Sequence, residues 1–220
     1  MDDERREGRL RDGVRAGLTV ALGPLLFGIS FGVLARKAGL GSVPTIVFSA
    51  TTFAGSAQFA AVSVLGAGGS AAAAVVAALL LNARYAPMSV AATAVFRGRW
   101  WRRLAEAQLL VDESWALAGR GGRFRREVLI GAGLLIYGLW LLGTTLGTVL
   151  GGRLGSPTDY GLDAAFAALF LGLAAPTLRG RRARAAGALA GAVVLVLLPW
   201  APAGLPLVAA SAACLLGLRR

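Results

Sequence analysis

The chain is predicted to be all-α: a polytopic transmembrane helical bundle with broken or re-entrant helices and a trace of internal repetition. Three observations predict it. Of 220 residues, 56% are hydrophobic and 15% charged, with mean hydropathy +0.67, more apolar than a soluble domain of ordinary make-up. The 23 basic residues, of which only Lys37 is a lysine, fall mainly in short clusters between apolar runs, the pattern that holds loops on the cytoplasmic side. The apolar stretch Phe53–Pro87 is interrupted at Gly55-Ser56-Ala57-Gln58 and again at Asn82-Ala83-Arg84-Tyr85-Ala86-Pro87. Polar groups at membrane depth turn towards a partner, a cavity or a ligand rather than lipid tails, so these interruptions mark the candidate binding site.

Residues 1–12 form a charged tail, and the retained first helix spans about Gly13–Ala35, longer than the ~7–15-residue apolar core of a cleaved signal peptide. Arg5, Arg6, Arg9, Arg11 and Arg15 place its N-terminus in the cytoplasm. Pro24 marks a kink, and Gly28-Ile29-Ser30-Phe31-Gly32 is a spacing that admits a second helix closely. A turn-rich loop at Lys37–Ser42 leads to a second segment from Pro44 to Leu65. The Gly55-Ser56 pair is a kink site, and Gln58 needs hydrogen-bond partners at that depth. It finds them in a ligand or in an interhelical bond.

The third apolar segment, Ser70–Phe96, is split by Asn82–Pro87 into two pieces. Each is too short to cross a core ~30 Å thick at ~1.5 Å of rise per residue. The region 97–126 is strongly basic at both ends, and Glu106, Asp112 and Glu113 within it argue for an interfacial helix. Glu127–Leu150 is the clearest span, with Gly143, Gly147 and Gly151 forming a smooth strip. A further span at 160–178 carries Asp163 near its outer end. Segments at Ala185–Trp200 and Leu205–Leu218 and a cytoplasmic end at 219–220 complete a membrane domain over 13–218 with about six full spans.

Loop charge bears on the count of crossings. If the first three segments each cross once, the arginines of 97–126 and the C-terminal arginines fall outside. A re-entrant hairpin at 70–96, turning at Asn82–Pro87, restores the inside bias, and such backbone is tolerated where protein or an aqueous cavity surrounds it. The other repair makes Leu104–Gly119 an eighth crossing; the charge bias favours the hairpin. Gly32–Pro44 and Gly147–Pro157 both close an outgoing helix with a Gly-Ser-Pro-like turn, as duplicated transporters do.

Composition also excludes function classes. A formal charge of +12 arises without a groove-entering helix or stacking module, so nucleic acid is not a partner. Histidine is absent and Cys214 is the sole cysteine. That removes the usual general base and near-neutral proton switch, along with any disulfide or cysteine metal cage. No nucleophile–base pair is visible. The chain therefore reads as a non-enzyme without cofactor or metal, and proton coupling would fall to Asp or Glu.

The runs Ile29–Ala35, Phe53-Ala54-Gly55-Ser56-Ala57-Gln58-Phe59, Leu79-Leu80-Leu81-Asn82-Ala83-Arg84-Tyr85, Asp112-Glu113-Ser114-Trp115-Ala116-Leu117 and Leu162-Asp163-Ala164-Ala165-Phe166 together resemble the AzlC family. These are large subunits of bacterial branched-chain amino acid exporters, and the likeness extends from about residue 13 to 200. It implies a multi-pass permease of the bacterial cytoplasmic (inner) membrane with both termini cytoplasmic. Such a permease exports valine, leucine, isoleucine or a similar amino acid, driven by the proton gradient. It also implies a small AzlD-type membrane subunit as partner, with oligomers of such heterodimers as a further assembly. One departure is Tyr85, where relatives commonly carry His, which puts that position's role in proton handling in doubt.

An amino acid of this kind asks for donors, acceptors and an apolar pocket. Arg84, or the N–H groups of a half-helix beginning near Pro87, suits the carboxylate. Asn82, Gln58 and freed carbonyls at Gly55-Ser56 suit the ammonium, and Tyr85 adjoins them. Phe53, Phe59 and Met88 suit the side chain, although aromatics in such positions equally fill a core. Arg84 reads equally well as a structural counter-ion to Asp112, Glu113 or Asp163. Asp163, then Asp112 and Glu113, are the candidates for proton coupling, against the plainer reading of acids favoured at a helix N-terminus. A channel, or a transporter of another small solute, is the alternative function, since broken helices serve both.

Overall fold

The computed structural model describes residues 2–120, 123–150, 171, 175, 178, 180–200 and 209–210. The described elements in chain order are α1 (Asp2–Leu18), α2 (Leu22–Lys37), α3 (Ser42–Thr52), α4 (Gly55–Gly66), α5 (Ala71–Asn82) and α6 (Tyr85–Ala91). A 3-10 turn at Thr93–Val95 precedes α7 (Trp100–Ala107) and α8 (Asp112–Ala118). A two-residue ladder then pairs β1 (Gly119–Arg120) with β2 (Arg123–Phe124), followed by α9 (Arg126–Leu150) and α10 (Arg181–Leu197). The architecture is all-α, as the sequence predicts. The expectations for Gly151, Asp163, the span at 160–178 and the segment at 205–218 lie outside the described residues.

The helix α9 is the post of the bundle, packing against α1, α2, α3 and α8. Its buried positions Leu129, Ala132, Gly133, Ile136, Trp140, Gly143, Thr144, Gly147 and Thr148 recur at three- and four-residue steps, a single stripe along the helix. The expected small-residue seam is there: a Cβ added to Gly28 would lie 2.6 Å from the Trp140 carbonyl oxygen, and one on Gly32 2.5 Å from that of Thr144. Gly143 and Gly147 meet the backbone of Leu25 and Ile29 in return. Without side chains between them, the backbones of α2 and α9 approach closely, and dispersion over the contact replaces a water-driven core. Around the seam Phe27, Phe31, Phe53, Val62, Ile136 and Trp140 form the main apolar cluster.

Two breaks differ from expectation. The first segment bends by 66° between Leu10–Leu18 and Leu22–Lys37, so the turn lies at Thr19–Ala21 rather than at Pro24. Pro24 lacks an N–H and its ring collides with the carbonyl four residues back. The chain therefore breaks before it and Pro24 sits in the first turn of α2, where no N–H is needed. The stretch Ala71–Ala91 is a 21-residue helix long and apolar enough to span, not a hairpin reversing at Asn82–Pro87. Ala83 (φ −55°, ψ −26°) and Arg84 (φ −60°, ψ −26°) keep helical dihedrals, and Pro87 again falls in a first turn, that of α6. The polar interruption loosens one turn without turning the chain back.

The second segment is the one that breaks. Phe53 ends α3 in the left-handed region (φ 38°, ψ 51°), which costs a non-glycine residue ~1–2 kcal/mol. Side chains from other elements offset this by satisfying the backbone on both sides. The Tyr137 hydroxyl donates to Ala50 O at 2.9 Å and Gln108 Nε2 to Thr51 O at 2.8 Å, so the carbonyls orphaned at the end of α3 are covered. Ala54 N–H donates to Gln58 Oε1 at 3.3 Å. The Phe53 ring is buried edge-on against Tyr137, 4.9 Å between centroids.

Candidate functional site

Beneath this break lies a fully buried polar cluster. Ser49 Oγ receives Gln58 Nε2 at 3.1 Å and Trp140 Nε1 at 3.1 Å, and stands 2.9 Å from Thr144 Oγ1. With both lone pairs of Ser49 taken by donors that cannot accept, its own hydrogen points to Thr144. Gln58 is thereby bonded at both ends, to Ser49 and to Ala54. It holds the α3–α4 break and does not line the cavity; its interhelical role is the one the structure carries.

The cavity opens at the start of α4. Its wall combines apolar residues, Pro24, Phe27, Phe53, Val111, Ile136 and Trp140, with Gly55, Ser56, Arg84, Tyr85, Asp112 and Glu113. First-turn N–H groups of a helix have no intrahelical acceptor, and Gly55 and Ser56 bring those of α4 to this wall. One terminal nitrogen of Arg84 donates both to Ser56 Oγ at 2.7 Å and to Asp112 Oδ2 at 2.7 Å, each hydrogen serving one acceptor. The guanidinium carbon lies 5.2 Å from the centre of the Tyr85 ring, within cation–π range. Arg84 Nε is buried with no hydrogen-bond partner among the described residues.

Asp112 reaches Arg84 because of the loop before α8. Ser114 Oγ accepts the Val111 N–H at 3.0 Å and stands 2.7 Å from Leu109 O, fixing 109–111 so that the first residues of α8 enter the bundle. Trp115 Nε1 donates to Met88 O at 3.2 Å, tying α8 to α6. At the other end of this region Glu106, 7% exposed, accepts from Arg102 at 3.0 Å and from two nitrogens of Arg126. Two of the acids that speak against a lipid-facing span, Glu106 and Asp112, are thus internal counter-ions, and Glu113 lines the cavity beside them.

Six residues expected at the site, Phe53, Ser56, Arg84, Tyr85, Asp112 and Glu113, converge on this cavity. Asn82 is half-buried one turn away, with its Oδ1 unpartnered, and does not line the cavity. Phe59 packs in the core against Phe31 and Trp140, and Met88 lies in a second apolar cluster with Val95 and Leu129. The free helix N-terminus is that of α4 at Gly55, not one near Pro87. Gly55 and Ser56 therefore present amides rather than carbonyls. Phe27, Ile136 and Trp140 are wall residues that the sequence reading passed over; no local signal separates them from other apolar positions on their helices.

Comparison with known proteins follows the same outline. The chain is 28% identical to an uncharacterized membrane protein of Helicobacter pylori strain 26695 over 158 residues, 70% of this chain and 69% of the relative. It is 30% identical to an uncharacterized membrane protein of Archaeoglobus fulgidus over 197 residues, 89% of this chain and 87% of the relative. No solved structure matches it. The family model described as AzlC protein matches residues 19–154, which contain α2 to α9 and every described wall residue of the cavity, and the chain belongs to the AzlC family of membrane proteins.

Proposed function

We propose that the chain is a permease that exports branched-chain amino acids, valine, leucine, isoleucine or similar, across the bacterial cytoplasmic membrane, driven by the proton gradient. The observation that carries this reading is the meeting of two chemistries in one cavity. Charged and hydrogen-bonding groups, Arg84, Ser56, Asp112 and Glu113, share its lining with aliphatic and aromatic ones. In this reading Arg84 and the first-turn amides of α4 take the carboxylate. Asp112 and Glu113 take the ammonium and carry the coupling proton, with Asp163 a further candidate for that role. The apolar lining residues receive the branched side chain.

The cavity volume is about 30 Å³, the room of a single water-sized group. The proposed site is therefore closed around the Arg84–Asp112 pair here, and an amino acid enters when its walls part. Alternating access about broken helices is the general form of such transport. A small AzlD-type membrane subunit completes the transporter in this proposal. Its contribution is read from efflux with and without that subunit.

Counterflow in proteoliposomes tests the function. Saturable exchange of labelled leucine, abolished by Arg84→Ala in protein that still inserts, is the expected result. Unchanged exchange in Arg84→Ala removes Arg84 from the site, and non-saturating ion conductance in place of exchange defeats the exporter reading.

A further inference from the structure

A second cavity shares no lining residue with the first. Its volume is about 400 Å³, and its lining includes Val95, Arg97, Phe124, Arg125, Arg126 and Glu127. It joins two arginine clusters far apart in sequence, one following the 3-10 turn and one at the entry to α9. We propose that it binds a phosphate-bearing anion, such as the phosphodiester headgroup of an anionic lipid.

Three features support this. The arginines are differently committed: Arg126 is held by Glu106, whereas among the described residues Arg97 makes a single bond, Nε to Ala94 O at 3.4 Å. Arg125 stands 3.9 Å from Asp12 with both side chains about half exposed. A contact of that kind is weak and is readily exchanged for a better anion. The free fork of Arg97 and that of Arg125 match the geometry of phosphate oxygens.

The second feature is charge. The lining sets Arg97, Arg125 and Arg126 against Glu127, and adding Arg102 with the contacting acids Glu106 and Asp12 still leaves four arginines to three acids among the described residues. The third is position. The adjoining helix α7 exposes Trp100 (73%), Trp101 (52%) and Leu104 (63%) beside Arg102 and Arg103, the composition of a helix lying at a membrane surface. A basic pocket at that level meets lipid headgroups, and the apolar Val95 and Phe124 suit the glycerol end of such a headgroup.

Native mass spectrometry of the purified full chain tests the site, with phosphatidylglycerol, phosphatidylcholine or inorganic phosphate added to detergent. Phosphatidylglycerol is expected to be retained over phosphatidylcholine. In Arg97→Gln/Arg125→Gln its affinity should fall about thirtyfold, with a smaller fall in Arg97→Gln alone, whose exposed side chain makes only the long bond to Ala94 O among the described residues. The comparison variant Arg99→Gln/Arg103→Gln removes equal charge from the start of α7, outside the cavity lining, and should retain the lipid. Displacement of the lipid by millimolar inorganic phosphate assigns the site to the free anion; persistence assigns it to the headgroup. Equal losses in the two double variants, or equal retention of the two lipids, overturn the proposal.

Discussion

Arg84→Gln and Asp112→Asn, alone and combined, measure what joins the two sides of the cavity. Removing one partner of a buried pair costs ~3–5 kcal/mol because the other charge is left uncompensated. Here the side chains are 24% and 20% exposed, so solvent takes up part of that burden, and each single change is expected to destabilise by about 2 kcal/mol. The double variant leaves neither charge behind. It should fall short of the sum of the singles by at least ~1 kcal/mol, as residues in one network do. Reversible unfolding of the purified protein in mixed micelles gives the three values. Strict additivity would show that the 2.7 Å contact carries no coupling and would refute the view that Arg84 and Asp112 hold α8 against α5 and α6.

Other outcomes follow from the packing. Gly32→Val drives a side chain against Thr144 O and is expected to destabilise by ~1–3 kcal/mol or more through overpacking. Gly138→Ala on the same post, where an added Cβ meets nothing within 4 Å, should be neutral or stabilising by up to ~1 kcal/mol from helix propensity; the pair of thermal shifts checks both. Ser49→Ala strands the Gln58 and Trp140 donors and should cost ~2–3 kcal/mol, read from the unfolding midpoint. Cysteines placed at 97–103 in a Cys214→Ser background are expected to resist membrane-impermeant reagent added outside intact cells. Ready labelling would put that loop outside.

What was legible in the sequence is what lipid and helix geometry dictate directly. Apolar length marks α9, the spacing of Gly28, Gly32, Gly143 and Gly147 marks a close seam, and polar residues in apolar runs mark the cavity. The positions of the breaks were less legible. A break becomes stable when other elements cover its orphaned backbone groups. At Phe53 that cover comes from Tyr137 and Gln108, 87 and 57 residues from their acceptors. Around Asn82–Pro87 the residues look equally disruptive, yet Pro87 lands in a first turn and the helix carries on. Gln58 shows the same ambiguity from the other side, since an amide at membrane depth serves a ligand or a backbone with the same atoms. Its two bonds, to Ser49 and Ala54, decide for the backbone.

These contacts also divide the cavity into a fixed side and a looser one. Half of the most apolar window of Arg126–Leu150 is buried, against 11% of that of Ala71–Ala91. The first is locked to α2 along the glycine seam and to α3 through Ser49, Thr144 and Tyr137. The second is joined to α4 by packing and the Arg84–Ser56 bond, and to α8 by the Arg84–Asp112 pair and the Trp115–Met88 bond. Under the proposed function, widening the cavity for an amino acid would part the two bonds to α8 at least cost, because the seam cannot slide without driving backbone into backbone. In that proposal a carboxylate would replace Asp112 on Arg84, with Ser56 already in place as the second acceptor. The charge on Arg84 would then stay paired in both states, and the acid it releases would be the group free to take the ammonium or a proton.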